Sequence, residues 1–484
     1  MKRTLVVIGG GVGGLTTAAL LLKAGWEVTV LEAHVYPGGS AGTFFHKGYR
    51  FDAGATLAGG FNPGGPHARV AELLGLEWPV QPVDPAWVVH LPQRSITQWA
   101  EPQRWREERR AAFPEGESFW QMQERLGEIS WQLSSRNFPW PPTGARDLAE
   151  AALALRPSTM LAVPYLMRTV SSLLPRQAGL EMRAFIDAQL LISAQTTAQY
   201  ANALYGSAAL DLPRRGVSLV RGGIGRLAGT LADWITANGG KVLYRQAVER
   251  VLVRGRQVVA VQTRKGLEVE ADSFAANLPP SALAALLPES PPRGLQTKQV
   301  AAGTGWGAFT LYLGLEASEL PADLADHHQV VVDPSKPLGE GNSVFISLSP
   351  QGDASRAPNG KRAATLSSHT AVEPWWQLSQ NDPQGYATRK EDYTQRLLAA
   401  SEQAIPGIRK AMRLALPGTP LTWQFYTGRP LGRVGGYAQT SILTARSPAT
   451  GLENLWLVGD SIFPGQSTAG VTLGAVRVAR AINR

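Results

Sequence analysis

An α/β fold that begins with a parallel sheet is what this sequence predicts, on three observations. Thr4–Ile8 is a short apolar run, Gly9–Gly14 is a glycine-rich turn leading into a helix-length apolar run to Ala24, and Glu27–Leu31 is a second short run rich in β-branched residues. Strand, turn, helix and strand in that order make a βαβ unit. The chain is 484 residues, 44% hydrophobic and 18% charged, enough for two or three packed cores. That composition excludes disorder and a collagen-like repeat. Its 51 glycines and 34 prolines exceed average usage, so either loops are abundant or backbone is kept bare for close approach.

There is no cysteine, which removes disulfides, thiolate metal sites and cysteine nucleophiles together. The formal charge of +9 suits anionic lipid headgroups as well as nucleic acid. Its basic residues are dispersed, and the densest cluster, Arg104–Arg110, also carries Glu107 and Glu108, so a solvated mixed-charge helix is expected and no nucleic-acid partner. Lys2 and Arg3 ahead of Leu5–Leu22 imitate a signal peptide or span, but the glycines break that stretch. No other stretch has the roughly 18 uninterrupted apolar residues of a span. The expectation is a cytoplasmic protein, soluble or resting peripherally on a membrane surface.

Further along, glycines cluster at Gly38–Gly42 and Gly48–Gly54, and Asn62–Pro66 leads into an amphipathic helix near Ala68–Leu74. Residues 78–214 read as irregular at first and helical later. Within them Ala151–Leu173 carries apolar runs edged by Arg156, Arg168 and Arg176 and broken by Pro157 and Pro164. An interfacial helix pair and an ordinary core hairpin both fit that stretch. From Gly216 the pattern turns regular: a glycine turn at Gly222–Gly225, a helix Leu227–Ala237, a strand Lys241–Tyr244, a hairpin Val248–Val253 with Gln257–Thr263, then strands Leu267–Glu270 and Ser273–Asn277. Residues 285–445 alternate strands such as Phe309–Leu313 and Val344–Ser349 with a helix near Asp392–Ala404. A buried-type strand Leu455–Val458 and a helix from Thr468 to Ile482 close the chain.

Gly9, Gly11 and Gly14 form GxGxxG between strand and helix, where the first permits the turn, the second admits a pyrophosphate and the third lets helix and sheet approach. Helix N-terminal amides, Gly13 among them, then face the phosphates. Glu32, at the end of the next strand, is placed to accept from a ribose hydroxyl. The extension to Gly38-Gly39, followed by Ser40, resembles that of flavoproteins in which this second glycine pair faces the same pyrophosphate, and the resemblance implies that role here. Gly459-Asp460 follows a strand and precedes a helix, a placement suited to a carboxylate on ribityl or phosphate-side hydroxyls. The positive end of that helix, at Thr468, Gly470 and Val471, would stabilise a reduced flavin, so FAD is favoured over NAD.

Two other glycine patterns imitate different sites. Gly38–Gly42 satisfies GxSxG but is detached from its strand and runs on into Phe44–Phe51 instead of a helix, which argues against a hydrolase elbow. Gly223-Ile224-Gly225 and Gly303-Thr304-Gly305 loosely match a second nucleotide loop, the first reading more simply as a helix cap and the second leading into a strand. The seven histidines are scattered, and the His327-His328 pair would point to opposite faces of a strand, so no metal is expected. Trp306, Tyr312, Trp375, Trp376, Trp423 and Tyr426 are core residues by default, or walls for a long apolar substrate.

Glu32 through Gly39, Gly48–Thr56 and Asn454–Asp460 with Pro464-Gly465 together resemble the phytoene desaturase-like FAD enzymes of carotenoid metabolism. Asn62–Gly65, Asp187–Thr197 and Tyr426–Pro430 with Val434–Gly436 look most like the C-3',4' carotenoid desaturases; Ser40 departs from the arginine many relatives carry. The resemblance implies a Rossmann-like, GR2/amine-oxidase-like FAD-binding domain, discontinuous over 1–80, 216–284 and 446–484. Inserted in it would be an α+β substrate and membrane-associating domain over 81–215 and 285–445. It further implies a backbone contact from Val248 to the adenine, a carotenoid substrate, and entry from a membrane surface near Ala151–Leu173. Asp187, Gln195 and Arg429 are the catalytic candidates, each with a structural alternative as salt bridge, core amide or loop anchor. A carotenoid desaturase is the expectation; a cis-trans isomerase or ketolase of the same fold, and a carrier with structural FAD, are the alternatives. The electron acceptor, oxygen or a quinone, is left open.

Overall fold

The computed structural model describes residues 2–136, 138–287, 291–292, 294–295 and 305–484. Gly303 and Thr304, of the second loose match to a nucleotide loop, lie outside the described residues. At the centre is a parallel sheet of β1 (Thr4–Ile8), β2 (Glu27–Leu31), β3 (Lys241–Leu243), β4 (Ser273–Ala276) and β5 (Leu455–Leu457), in the order β3-β2-β1-β4-β5. Its strands come from three distant stretches of sequence. β1 is fully flanked, pairing Leu5–Ile8 with Val28–Leu31 on one side and with Ser273–Ala276 on the other. Burial on both faces explains why these strands read as unbroken apolar runs: Leu5, Val6, Val7 and Ile8 are all within 3% of full burial. Each such side chain contributes about 1.5–3 kcal/mol relative to exposure.

Helix α1 (Val12–Lys23) and the C-terminal helix α4 (Thr468–Asn483) pack against each other over this sheet. A Cβ on Gly13 would lie 2.9 Å from Val471 Cγ1, so glycine there sets how closely the two helices meet. The chain leaves β1 toward β2 on one side and comes back to β4 on the other, which opens a crevice at the carboxyl ends of β1 and β4. A ligand of an α/β sheet belongs in that crevice.

A second sheet of seven strands runs in the order Met412–Gly418, Trp306–Glu316, Lys361–Ala371, Ser343–Leu348, His327–Val331, Trp87–Leu91, Arg94–Gln98. The last two strands fall in a stretch whose sequence reads as irregular. They are short, and Trp87–Leu91 is completed only by its parallel partner His327–Val331, more than 230 residues away. His327 and His328 do point to opposite faces: His327 Nδ1 meets Ser347 Oγ at 3.0 Å, and His328 Nδ1 meets His90 Nε2 at 3.0 Å. Trp375 is fully buried with Phe309 and Tyr393, and Tyr312 packs on Phe44, so these aromatics are core.

Three helices and a broken segment cover one side. They are Glu117–Ser135, α2 (Leu180–Ala194), α3 (Ala203–Leu210), and the run 145–173. That run is not a helix pair. It is Ala145–Ala154, a single turn Pro157–Met160 and two 3₁₀ turns, because Pro157 and Pro164 each start a new turn and cannot continue the preceding one. The basic cluster lies as expected on a mixed-charge helix, Pro102–Ala112.

Candidate active site

The glycine turn forms one wall of the crevice. Gly9 has φ +94°, a conformation costly for other residues, and Gly11 caps α1 with ordinary extended backbone and no side-chain cap. No acidic side chain occupies the first turn of α1, so its leading amides face the crevice without a protein partner charge. The second glycine pair docks on this turn: Gly38 N–H donates to Gly10 O at 2.9 Å, and Gly11 bridges Gly38. Ser40 follows in a 3₁₀ turn, Gly39–Ala41. Glu32, nearly buried at the end of β2, accepts from Gly10 N–H and His34 N–H, each at 2.7 Å. Two donors on two sides fix the carboxylate at the mouth of the crevice. Val248 opens a strand, Val248–Arg254, and the segment before it lies along Glu32, with Gln246 N–H donating to Glu32 O at 2.8 Å.

The far wall is the C-terminal motif. Gly459 has φ +113°, and a Cβ on it would sit 2.9 Å from Asn277 Oδ1. Asp460 is ion-paired with Arg429, Nη1 to Oδ2 at 2.9 Å, with both side chains largely buried. Arg429 also donates from Nε to Arg433 O at 2.8 Å and from Nη2 to Gly435 O, so its whole fork is committed to Asp460 and one loop. Replacing Arg429 with Gln leaves the Asp460 carboxylate unpaired, at an expected cost of about 1–3 kcal/mol, less for Lys, which keeps the charge but not the fork. Urea unfolding midpoints at constant slope measure it. At the start of α4, Thr468 Oγ1 and Gln466 Nε2 are buried with no hydrogen-bond partner among the described residues, while Ser467 Oγ accepts from Gly470 N–H at 3.1 Å. Uncapped α1 amides facing a crevice edged by a fixed carboxylate, with buried polar atoms left unpartnered at the head of α4, fit a polar, anionic dinucleotide.

The other two catalytic candidates sit at opposite ends of one stretch. Gln195 ends α2 at φ +55°. Its side chain is packed under Gly435, whose Cβ would lie 2.6 Å from Gln195 Cδ, and its Nε2 is 3.5 Å from His369 Nε2. Burial pushes the His369 pKa down to about 4, so the ring is neutral. Gln195, Arg429 and Asp460 are thus neighbours through the 433–436 loop. Asp187 makes its hydrogen bond elsewhere: it accepts from Ala198 N–H at 2.6 Å, anchoring the turn after α2, and burial raises its pKa against that bond and Arg183.

A cavity of about 360 Å³ opens beside this wall, between Glu117–Ser135, the 157–166 turns, α3 and the start of α4. It runs from Leu155, Met160 and Val163 to Gln466, Ser467 and Gly470, with Trp131, Trp140 and Phe463 among its walls. None of its lining residues is charged. The aromatics singled out in the sequence do not line it; these three do, and nothing in local patterning marks them. Met160 on its wall is 54% exposed, and Leu153 and Met167, close in sequence to the lining residues Leu155 and Leu166, are 83% and 78% exposed. Among the described residues no group of His, Asp and Glu could hold a metal ion, and no helix is long and apolar enough to cross a membrane.

A family model of flavin containing amine oxidoreductases matches residues 12–483. The chain belongs to that family. A flavin held in a dinucleotide crevice is FAD, so the chain is an FAD-dependent oxidoreductase. Among curated relatives it is 28% identical to prolycopene isomerase of Daucus carota over 99% of this chain and 79% of that one. It is 23% identical to the neurosporene-forming phytoene desaturase of Cereibacter sphaeroides over 98% and 93%. Of solved structures, putrescine oxidase aligns over 100% of this chain and 99% of its own at TM-score 0.65 and 16% identity. An oxidoreductase of Methanosarcina mazei aligns over 99% and 100% at 0.64 and 20%. The Rossmann-like fold is shared with both.

Proposed function

We propose that this flavoprotein is a carotenoid desaturase that removes hydride and a proton across the C-3',4' bond at a polyene end. The observation that carries the reading is the uncharged, aromatic-walled cavity ending at the start of α4. The cavity offers a charged substrate no counter-ion, whereas a polyene needs only apolar walls. In this reading 1–80, 216–284 and 446–484 hold FAD, with Gly9, Gly11, Gly13, Gly14, Glu32, Gly38, Gly39, Ser40, Val248, Gly459, Asp460, Thr468, Gly470 and Val471 as its contacts. Residues 81–215 and 285–445 hold the substrate.

Bound FAD supplies the two-electron acceptor for the hydride, and reoxidation draws on oxygen or a quinone. The cavity walls align the polyene and exclude water. An allylic cation delocalised along the polyene loses its neighbouring proton to a weak base, so the absence of a charged residue from the walls is no obstacle. Gln195, with its buried Oε1 unpaired, is the nearest polar group on α2 to the 433–436 loop. Asp187 and Arg429 act as anchors of the turn after α2 and of Asp460.

Expression in hosts that make acyclic or monocyclic carotenoids, with mass analysis of the pigments, tests the reading. The expected product is lighter by two hydrogens and absorbs at longer wavelength. The similarity to prolycopene isomerases favours a second reading, isomerisation, which would leave the mass unchanged. The exposed apolar residues Leu153, Met160 and Met167 in the 145–173 run that borders the cavity support docking on a membrane surface. Leu153→Asp with Met167→Asp is expected to cut flotation with anionic vesicles about tenfold or more while leaving FAD content unchanged; equal flotation would remove the membrane from the reading.

A further inference from the structure

We infer that Asn277 is a further FAD-binding residue, its side-chain amide contributing a hydrogen bond to the dinucleotide at the point where the two walls of the crevice meet; this rests on the FAD site described above. Asn277 ends β4, directly after Ala276, with its N–H bonded to Ile8 O at 2.8 Å and its own carbonyl 3.1 Å from where a Cβ on Gly9 would be. The residue therefore stands at the crevice itself. Its side chain is the common neighbour of both glycine motifs. A Cβ on Gly11 would fall well inside contact distance of Nδ2, one on Gly13 would lie 3.1 Å from Oδ1, and one on Gly459 would lie 2.9 Å from Oδ1. Three glycines from opposite ends of the chain are thus kept bare around one amide.

That amide has two donors and an acceptor, yet none of the described residues hydrogen-bonds it, and it is only partly buried. A packing role alone would be met as well by an apolar side chain of the same shape, such as Leu, without the desolvation cost of an unused amide. An unused amide between uncapped helix amides and a carboxylate-bearing motif has its partner in the ligand. Nδ2 can donate to phosphate or ribityl oxygens, and a carboxylate in its place would repel the pyrophosphate.

The test measures FAD dissociation constants by flavin fluorescence and the bound-flavin reduction potential for wild type, Asn277→Ala, Asn277→Ser, Asn277→Asp and the pair Gly11→Ala/Asn277→Ala. Expected are about tenfold weaker binding for Ala, partial recovery for Ser, more than 100-fold weakening for Asp that eases with salt, and a shifted potential. Gly11→Ala alone should also lose FAD, and the double variant should stay weak although the space is restored. Wild-type affinity and potential in Asn277→Ala, or full recovery in the double variant, would show Asn277 to be packing only and overturn the inference. Failure of the wild-type protein itself to bind FAD would sink the cofactor site instead, a separate result. Thermal melts of each apoprotein check folding, with Ser as the mildest replacement.

Discussion

Gly11→Val will purify folded but without FAD, its dissociation constant raised by at least about 100-fold, which is about 2.7 kcal/mol of binding energy. The reason is space and not backbone strain, since Gly11 already has φ −75° and ψ 169°, which valine adopts readily. The added carbons must enter the volume of Asn277 and of the bridge to Gly38, so either the turn opens or the second glycine pair is pushed off it. Both moves displace the amides at the head of α1. Gly25→Ala is the control. Gly25 has φ +93° but nothing within 4 Å of a new Cβ, so it should cost about 1 kcal/mol of stability and no FAD. Flavin absorbance per mole of purified protein reads both, and full occupancy in Gly11→Val would dismiss the crevice as the FAD site.

The second large effect is expected at Ala208. It lies on α3, lines the cavity, and its carbonyl accepts from Trp131 Nε1 at 3.2 Å, so the backbone there is held while the methyl faces open space. Ala208→Trp places an indole in that space. FAD content should be unchanged, because Ala208 lies on α3 and outside the glycine motifs that form the crevice, while pigment conversion falls more than about 100-fold as the substrate loses its path. Ala208→Ser should convert pigment almost normally. Conversion by the tryptophan variant at the wild-type rate would mean that substrate takes another route. Together the two variants separate the two halves of the enzyme, one losing cofactor and the other losing only turnover.

These variants also mark what could be read in advance. The strands of the parallel sheet are short, buried on both faces and flanked by glycine, so each announces itself within a few residues, and predicted and observed ends differ by about one residue at β3, β4 and β5. The strands Trp87–Leu91 and Arg94–Gln98 did not. They pair with each other as a hairpin, but only Trp87–Leu91 meets the rest of the sheet, through the distant His327–Val331, and a stretch whose burial alternates only in part shows little period on its own. Likewise Pro157 and Pro164 showed that 145–173 was broken, but not that the pieces would fold as single turns around a cavity.

By itself the sequence determined the dinucleotide crevice. GxGxxG, Glu32 and the Gly38-Gly39 pair act within one βαβ unit, where spacing along the chain is nearly spacing in the fold. Only the tertiary structure decided what faces that crevice. Arg429 reads in sequence either as a catalytic candidate or as a loop anchor, and its pairing with Asp460 and the 433–436 loop became visible only in the fold. Asn277 reads as a strand end and stands among three glycines from both termini. The cavity draws on residues from Ile129 to Leu473, aligned by the packing of helices and turns whose meeting faces no periodicity specifies. The glycine surplus is where both levels agree, since bare backbone was legible from the start and its neighbours became known only once the chain had closed on itself.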